Sequence, residues 1–366
     1  MKTLAIIAEY NPLHEGHRYH LEQSLRQGGA SHSLILMSGN FVQRGEPAIE
    51  DKFSRAEQAI RMGADLVLEL PYIYAQNSAE YFAEGAIRIL NDSGVVDVLS
   101  FGSETADLDA LKHSAKRLLE PDHAAEIKQL MSQGLSYARA VETRLGGASR
   151  RPNDILAIQY LRALIKHDSP IEPLQITRLG DYHDESLRPA YPSASAIRRA
   201  HRDGRLSRIS QPIFWEDLSD MIFSRLITAE LSDIHGMQEG IEHALKFAAL
   251  NRHSLSELIE ATRTPRFGLA RLKRLLGHTL MGYTKKDQAE LQQVVYFRPL
   301  AFNDRGRELL KQIKRQNPEN FIPTLARYRG DPKIMRALRF DIISSNLYYH
   351  LQQSRPEQTR RPTYIT

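Results

Sequence analysis

The first 25 residues constrain the fold of this chain most, because they predict a strand, a turn and the start of a helix in immediate succession. Residues 4–8 form a short apolar run rich in branched side chains, which is typical of a strand buried within a sheet. Residues 9–13 contain an asparagine and a proline that end the strand, and residues 18–25 have helical spacing. His14-Glu15-Gly16-His17 lies between the turn and the helix. This order predicts the first βα unit of an open α/β sheet.

His14 and His17 stand where a phosphate group could bind. A helix N-terminus presents unpaired N–H groups and the positive end of the helix dipole, and Gly16 has no side chain to keep a ligand from the backbone. The histidines supply donors for charge that develops on a phosphoryl group. A pair at this spacing also occurs by chance in a chain with 14 histidines. Because ligands of open α/β sheets sit at the carboxyl ends of strands, the position favours a nucleotide phosphate site.

The composition narrows the class of protein. The chain has 366 residues, enough for two domains, and no cysteine, which excludes disulfides and thiolate chemistry and weakly favours a cytoplasmic location. Without cysteine, and without a His-Glu-x-x-His sequence, a zinc site is disfavoured. The mean hydropathy is −0.43, and no apolar run approaches the length that crosses a bilayer. We therefore expect neither a membrane contact nor a signal peptide.

The charge is distributed unevenly along the chain. Residues 1–199 hold 22 basic and 26 acidic residues, whereas residues 200–366 hold 27 basic and 18 acidic residues. The densest basic segment, residues 263–286, contains no acid. A charge run is often only the solvated face of a helix. Beside a candidate nucleotide site, a basic C-terminal half favours a polyanionic partner such as RNA.

Strand-like and helical stretches alternate in the N-terminal half, as in a parallel sheet flanked by helices. The predicted strands are residues 4–8, 34–37, 65–70, 95–99 and 171–176, and the predicted helices after the first are residues 51–61, 77–90, 107–119, 122–131, 136–144, 153–165 and 193–201. From Ile213 onward the pattern predicts helices and no strands, and the segment after Ser354 is expected to be mobile. These patterns predict a domain over residues 1–201, a helical basic region over 202–354 and a tail over 355–366.

Polar segments follow several predicted strands, at the edge of the sheet where a ligand would bind. Each has a plain alternative as a surface loop, a turn, a helix cap or a solvated charge pair. The segments are the loop at residues 38–47, Lys52 and Arg55 on the next helix, Phe101-Gly102-Ser103-Glu104, Asn153-Asp154, Arg178, and residues 193–198 with their two hydroxyls and Arg198. Lys52 and Arg55 could reach phosphates or a carboxylate, and the last segment could form a second anion site at a helix N-terminus. Their common side of the sheet favours one site.

These segments together resemble the HxGH nucleotidyltransferase superfamily and, more closely, the bacterial tRNA(Met) cytidine acetate ligase family. The resemblance rests on residues 9–17, 38–48, 52–57, 101–104, 153–156 and 195–198, so it covers roughly the first 200 residues. The long segment 38–48 is what points to this one family. The resemblance implies a Rossmann-like nucleotidyltransferase domain with a parallel sheet, followed in this chain by a mainly α-helical C-terminal region.

The resemblance also implies an activity. The family activates acetate with ATP as acetyl-adenylate, and transfers the acetyl group to the exocyclic amine of the wobble cytidine in elongator tRNA(Met). AMP and pyrophosphate are released, and Mg²⁺ is expected with the triphosphate, although the sequence suggests no dedicated carboxylate cage. The chemistry needs no protein nucleophile, which agrees with a chain that lacks cysteine.

The resemblance assigns roles to particular residues. His14 and His17 are expected to stabilise the α-phosphate transition state, assisted by Lys52 and Arg198, although Lys52 could equally hold acetate. The ATP site is expected to include Ile7, Ala8, Glu9, Tyr10, Asn11, Pro12, Leu13, His14, Glu15, Gly16, His17, Arg18, Tyr19, His20, Gly102, Asn153 and Arg178. Charge alone marks the C-terminal region for the anticodon arm, with Lys273, Arg274, Lys285 and Lys286 as candidate tRNA contacts.

Two other functions remain open from the sequence. An adenylyltransferase acting on a small phosphorylated metabolite would explain the histidines equally well, but gives no reason for a basic helical half. A non-catalytic RNA-binding module with a vestigial nucleotide fold would explain the charge. It would leave His14, Gly16, His17 and Arg198 without a role. ATP turnover separates the second alternative from the enzymes, and dependence on RNA separates the first.

Overall fold

The computed structural model describes residues 1–135, 137–145, 151–177 and 193–366. The strands are β1 (Thr3–Ala8), β2 (His32–Ser38), β3 (Leu66–Leu70), β4 (Val98–Ser103), β5 (Glu172–Thr177), β6 (Pro299–Phe302) and β7 (Thr363–Tyr364). The helices of the first half are α1 (Glu15–Gly28), α2 (Lys52–Met62), α3 (Tyr72–Ala75), α4 (Ala79–Ser93), α5 (Leu108–Arg117), α6 (His123–Ser132), α7 (Tyr137–Arg144), α8 (Pro152–Lys166) and α9 (Ala194–Arg202). Those of the second half are α10 (Ser219–Thr228), α11 (Ile241–Asn251), α12 (Leu255–Thr262), α13 (Leu269–Met281), α14 (Lys285–Leu291), α15 (Asp304–Gln316) and α16 (Pro332–Leu351), and short 3₁₀ helices lie at Trp215–Leu218, Leu325–Arg327 and Glu357–Thr359.

The described strands form one sheet in the order β5-β4-β1-β2-β3-β6-β7. The first five run parallel, β6 pairs antiparallel with β3, and β7 pairs parallel with β6. The chain builds outward from β1 through β2 to β3, then crosses back to place β4 on the other side of β1. In such a sheet the ligand crevice lies where the strand order reverses, at the carboxyl ends of β1 and β4. The predicted α/β fold is confirmed.

Both faces of the sheet are covered, which explains why its strands read as continuous apolar runs. Successive side chains of β2 alternate between two apolar clusters: Leu34 and Leu36 lie in one cluster, and Ile35 and Met37 in the other. The first cluster continues into the helices of the C-terminal half, from α10 to α16. The sheet therefore packs against residues from both halves of the chain.

The fourth strand begins and ends later in the chain than predicted. Residues 95–99 were predicted as the strand, but β4 begins at Val98 and continues to Ser103. Its polar residues hid its true extent: Ser100 is buried and its hydroxyl lies 2.7 Å from Ser24 Oγ and 3.0 Å from His20 Nε2. Residues 101–104, which were expected to follow the fourth strand, therefore begin inside β4.

The prediction that no strands follow Ile213 was wrong. β6 has four residues, too few to show a period, and its partner β3 lies more than 200 residues earlier in the chain. The backbone groups along the edge of β3 pair with β6, and the local sequence of β6 does not reveal this pairing.

The tail after Ser354, expected to be mobile, instead folds onto the molecule. Residues 357–359 form a 3₁₀ helix, and β7 completes the sheet edge beside β6. Glu357 is fully buried. Its carboxylate forms ion pairs with Lys52 and Arg298, which lie far from it in the chain. Composition alone does not reveal such pairs. The boundary predicted at residues 201/202 stays a prediction, although the sheet itself takes strands from both sides of it.

Among the helices that the structure describes, none is both long enough and apolar enough to span a bilayer.

Candidate active site

A cavity of about 1040 Å³ opens at the carboxyl ends of the central strands. Residues of β1, β4 and β5 contribute to its floor, among them Ile7, Ala8, Gly102 and Thr177. This is the crevice that the reversal of strand order creates. Its volume lies at the top of the range of small-molecule sites, so one ligand need not fill it.

His14 and His17 line this cavity and hold each other in place at the start of α1. His14 Nδ1 accepts a hydrogen bond from Gly16 N at 3.1 Å, and His17 Nδ1 accepts one from His14 N at 3.2 Å. The two rings stack with centroids 3.8 Å apart. Because each Nδ1 accepts from a backbone N–H, the proton of each neutral ring belongs on Nε2. Both histidines are thus set to act as Nε2–H donors.

Gly16 is required by this arrangement. A Cβ atom at residue 16 would lie 2.9 Å from His14 Cε1 and 3.0 Å from His14 Nδ1, closer than side chains tolerate. Any other residue would push the His14 ring away from the backbone N–H that it caps. The glycine predicted to admit a ligand therefore also admits the histidine ring.

Two arginines fix the turn between β1 and α1. Arg55 Nη1 donates to Glu9 O at 2.5 Å, and Arg198 Nη1 donates to Asn11 O at 2.6 Å. Between these two carbonyls Tyr10 adopts a φ of 46°, a left-handed conformation that costs a non-glycine residue roughly 1–2 kcal/mol. The Tyr10 ring lies against His17, with centroids 4.8 Å apart. The strained turn thereby supports the histidine pair.

Arg55 serves the backbone and does not reach the cavity. It is fully buried, and its other donors go to the carbonyl oxygens of Ser38 at 3.2 Å, Gly39 at 2.5 Å and Glu50 at 2.9 Å. The expectation that it could meet phosphates or a carboxylate was wrong. A guanidinium has enough fixed donors to bind several carbonyls at once, and the β1–α1 turn and the β2–α2 segment together supply these carbonyls.

Most of the predicted ATP-binding residues line the cavity, but not all of them. Those that do are Ile7, Ala8, Glu9, Tyr10, Asn11, His14, Gly16, His17, Tyr19, His20, Gly102 and Asn153, and Arg198 joins them. Pro12, Leu13, Glu15 and Arg18 lie outside the lining, since in the turn and on α1 their side chains take other directions. Arg178 falls outside the described residues.

Asn153 lines the cavity within a clamp between β4 and α8. Asp154 Oδ1 accepts from Glu104 N at 2.9 Å and from Thr105 N at 3.1 Å. In return Glu104 accepts from Asn153 Nδ2 at 2.5 Å and from Asp154 N at 3.2 Å. These bonds join the exit of β4 to the N-terminus of α8, and keep Gly102 and Asn153 on one wall.

The structure does not bring Lys52 to the cavity. The side chain is fully buried, and Nζ lies 2.6 Å from Glu69 Oε1 and 2.9 Å from Glu357 Oε1. Arg298 completes a closed group of four charges, binding Glu69 Oε2 at 2.6 Å and Glu357 Oε1. In this structure the ammonium therefore pairs with protein carboxylates, and neither acetate nor a phosphate can contact it without rearrangement.

A third carboxylate lies against this group. Asp341 accepts hydrogen bonds from Tyr72 N at 2.8 Å and Tyr296 OH at 2.5 Å. Burial, with the neighbouring charge of Glu69, raises the pKa of Asp341 to about 7, whereas Arg298 and Lys52 hold the pKa of Glu357 at about 2 against the effect of burial. Glu357 is therefore the ionised member and Asp341 the one that takes up a proton.

The C-terminal half supplies a wall of the cavity that sequence reasoning largely missed. Its residues include His235, Gly268, Arg271, Arg274 and His278. Burial, followed by the charges of Arg274 and Lys285, lowers the pKa of His235 to about 4, and burial lowers the pKa of His278 as well. Both imidazoles are neutral at pH 7. The basic segment 263–286 was the signal in the sequence, but it did not show which cations face the cavity.

Comparison with known proteins places this site in a family. A family model described as HIGH Nucleotidyl Transferase matches residues 1–362. The tRNA(Met) cytidine acetate ligase of Caldanaerobacter subterraneus subsp. tengcongensis is 36% identical over 380 residues, which cover 95% of this chain and 95% of the relative. That of Acetivibrio thermocellus is 36% identical over 392 residues, covering 95% and 94%. This chain belongs to the tRNA(Met) cytidine acetate ligase family.

Solved structures agree with membership of the tRNA(Met) cytidine acetate ligase family. The apo crystal structure of Thermotoga maritima TmcAL, form I, superposes with a TM-score of 0.92 at 28% identity, and each chain is fully covered. The form of that protein bound with alpha-thio ATP superposes with a TM-score of 0.89 at the same identity and coverage. The resemblance drawn from the sequence, and with it the predicted fold, is confirmed.

The residues predicted to contact tRNA have different surroundings in this tRNA(Met) cytidine acetate ligase family member. Arg274 lines the cavity, and Lys273 forms an ion pair with Glu46. Lys285 and Lys286 are exposed on the first turn of α14. Their contact with tRNA stays a prediction.

No metal site of protein ligands occurs in the part of the chain that the structure describes, where no group of three or more histidines and carboxylates could hold an ion. Of the acidic residues that the structure describes, Glu9 and Glu80 line the cavity, and Glu9 Oε1 already accepts from Gln43 N at 3.0 Å. These residues do not form a cage. Any Mg²⁺ ion at this site would therefore be held mainly by the phosphates of a nucleotide.

Proposed function

We propose that this chain is an ATP-dependent acetate ligase that converts the wobble cytidine of elongator tRNA(Met) to N4-acetylcytidine. The observation that carries the proposal is the histidine pair at the N-terminus of α1, set at the switch point of the sheet inside a cavity with room for more than one substrate. The substrates proposed here are those named for the related tRNA(Met) cytidine acetate ligases.

In the first step an acetate oxygen attacks the α-phosphorus of ATP. The bond from that phosphorus to the bridging oxygen breaks, so acetyl-adenylate forms and pyrophosphate leaves. Negative charge grows on the α-phosphate oxygens during the attack. The Nε2–H groups of His14 and His17, with the dipole of α1, would stabilise that charge without a protein nucleophile.

In the second step the exocyclic amine of the cytidine attacks the acetyl carbonyl carbon. The amine loses a proton, the bond from the carbonyl carbon to the phosphate oxygen breaks, and AMP leaves. The amine must be unpaired, which an exposed anticodon loop provides. Arg198 lines the cavity and holds the Asn11 carbonyl, and we propose that it positions the turn that carries the histidines.

Three further expectations accompany this function. Mg²⁺ would neutralise the triphosphate and be held by its oxygens. The helical region 202–354 would hold the anticodon arm, with Lys273, Arg274, Lys285 and Lys286 among its contacts, so tRNA affinity should fall steeply with salt. The reaction would take place in the cytoplasm, where its tRNA substrate is found.

The test is one incubation of the purified protein with ATP, radiolabelled acetate and bulk bacterial tRNA, followed by digestion of the RNA to nucleosides. We expect label in N4-acetylcytidine, and none when ATP is omitted. Absence of label, together with ATP cleavage when small phosphorylated metabolites replace tRNA, would instead identify an adenylyltransferase.

A further inference from the structure

Among the residues that the structure describes, the lining of the cavity holds more cations than anions. Among the described residues lining the cavity are five arginines, namely Arg44, Arg198, Arg266, Arg271 and Arg274, against two glutamates, Glu9 and Glu80. Cavities with such an excess bind anions with several charges, because each fixed cation raises the local concentration of negative ligand.

Arg274 is the least compensated of these cations. Within the described ranges its guanidinium makes one hydrogen bond, from Nη1 to Gln43 O at 3.1 Å, and no carboxylate lies within 4.0 Å. Its neighbour Lys273 pairs with Glu46, and Arg266 pairs with Glu239 at 2.9 Å. Burial, with the charge of Arg271, lowers the pKa of Arg274 to about 10. The protein thus bears the cost of desolvating this cation without an acid to offset it.

Arg274 is also connected to the nucleotide motif. Gln43, whose carbonyl it binds, donates its own N–H to Glu9 Oε1 at 3.0 Å, and Glu9 is the first residue after β1. Two hydrogen bonds therefore separate the arginine from the turn that leads to His14. Arg271 lies on the same face of α13, with its guanidinium 4.0 Å from the centre of the Phe267 ring.

We propose that Arg274 and Arg271 form a second phosphate subsite in this cavity, distinct from the histidine pair at the start of α1. The planar guanidinium of Arg274 has donors left to bind phosphate oxygens in pairs, and a phosphate supplies the missing negative charge. The phosphate belongs either to the β,γ end of the ATP triphosphate or to the RNA backbone beside the target nucleotide. This inference rests on the proposed function for the identity of its ligands.

Binding measurements on the full-length protein test the subsite. Calorimetric titrations with pyrophosphate, ATP and bulk tRNA would compare the wild type with Arg274→Gln, Arg274→Lys and a control, Lys116→Gln, whose exposed lysine lies outside the cavity. A hydrogen bond to a charged group contributes about 1.5–3 kcal/mol, so Arg274→Gln should weaken one phosphate ligand by about tenfold or more. Arg274→Lys, which keeps the charge without the planar fork, should recover part of that loss.

The ligand that weakens identifies the phosphate. Loss of ATP and pyrophosphate affinity alone assigns the triphosphate, and loss of tRNA affinity alone assigns the RNA backbone. Affinities of Arg274→Gln within twofold of the wild type for all three ligands would overturn the proposal. Lys116→Gln should bind as the wild type does.

Arg271→Gln tests the subsite independently, in case the Arg274 variants do not fold. Arg271 is only half-buried, so its loss should leave the fold intact and still weaken the same phosphate ligand by about threefold or more. No change in that variant would also overturn the subsite. A wild-type protein that binds ATP and tRNA but makes no N4-acetylcytidine would refute the proposed function and leave the subsite to be judged by the titrations.

Discussion

In both His14 and His17, Nδ1 accepts a hydrogen bond from the backbone at the start of α1, which puts the proton of the neutral ring on Nε2. The role proposed for these Nε2–H groups is to bind a substrate phosphate. The capping bonds also fix the ring positions, which a catalytic donor needs because a misplaced donor stabilises little of the developing charge. Sequence reasoning selected both histidines from their position between a predicted strand and a predicted helix, and from the resemblance to the family.

Replacing His17 should separate catalysis from capping. We expect His17→Ala to lower the rate of tRNA acetylation by about 100-fold or more, as loss of a transition-state donor does, and to lose roughly 1 kcal/mol of stability with the cap. His17→Asn retains an acceptor near the position of Nδ1, and should regain stability without regaining the rate. Steady-state kinetics and thermal unfolding measure the two effects.

The matched control is His253→Ala, which removes an exposed histidine. It should leave both rate and stability as in the wild type. A rate within a few-fold of wild type for His17→Ala would refute the role given to that histidine.

Lys52 and Arg55 show the limit of residue-scale reasoning. From the sequence, both could reach a phosphate or a carboxylate or form a solvated charge pair, and Lys52 alone was predicted to assist catalysis. The structure buries both, one among carboxylates and the other among carbonyl oxygens. Long basic side chains reach several ångströms from the backbone, so their sequence position does not determine which acceptor they meet.

At the scale of elements, the loop between β2 and α2 docks onto α13. Gly45 adopts a φ of 81°, and its N–H donates to Val42 O at 2.9 Å within a tight turn. A Cβ atom there would lie 2.5 Å from Arg274 N and 2.7 Å from Lys273 C. Backbone therefore packs on backbone, and the adjacent Glu46 pairs with Lys273. The contact joins the nucleotide half to the helical half.

Substitution of Gly45 should test this docking. Gly45→Ala meets the strain of a positive φ, roughly 1–2 kcal/mol, and in addition an overpacking cost of about 1–3 kcal/mol against α13. Gly204→Ala is the matched control, because its φ is 69° and nothing lies within 4 Å of the added atom. Denaturant unfolding should show the larger loss in Gly45→Ala. Equal losses in the two variants would show that the loop yields and that the docking is loose.

At the scale of the molecule, the buried charges tie the end of the chain to its beginning. Glu357 from the tail and Arg298 from the segment before β6 meet Lys52 of α2 and Glu69 of β3. Removing one member would leave an unpaired charge in the interior, which is far more costly than losing an exposed ion pair. The tail is therefore part of the folded core.

The stability of the protein should depend on pH through Asp341. Its pKa is raised in the folded state to about 7, so between its unfolded pKa, roughly 4, and that value the folded chain holds a proton that the unfolded chain releases. Stability from this group is complete below the lower value, and is lost as the pH rises through the upper one. We expect the melting temperature to fall between pH 5 and pH 8 for this reason.

Asp341→Asn should remove that part of the pH dependence, because an amide accepts hydrogen bonds and cannot ionise. The variant should melt at a higher temperature than the wild type at pH 8, with a smaller difference at pH 5. Asp109→Asn serves as the control, since the Asp109 side chain is 93% exposed. Parallel melting curves for wild type and Asp341→Asn across this range would contradict the raised pKa.

The sequence by itself determined the opening βα unit, the histidine pair, the alternation that builds a parallel sheet, and the family. These features depend on periodicity, caps and turns whose partners are a few residues away. Predictions for β1, α1 and the edge strand β5 were confirmed for that reason.

Only the tertiary structure decided the partners of Lys52 and Arg55, the strands β6 and β7, the burial of the tail, and the arginine wall of the cavity. Each depends on residues far apart in the chain: Arg298 and Glu69 are separated by 229 positions, and Arg274 and Gln43 by 231. A buried charge or an exposed sheet edge takes whichever partner the fold brings near, and nothing local in the sequence identifies that partner.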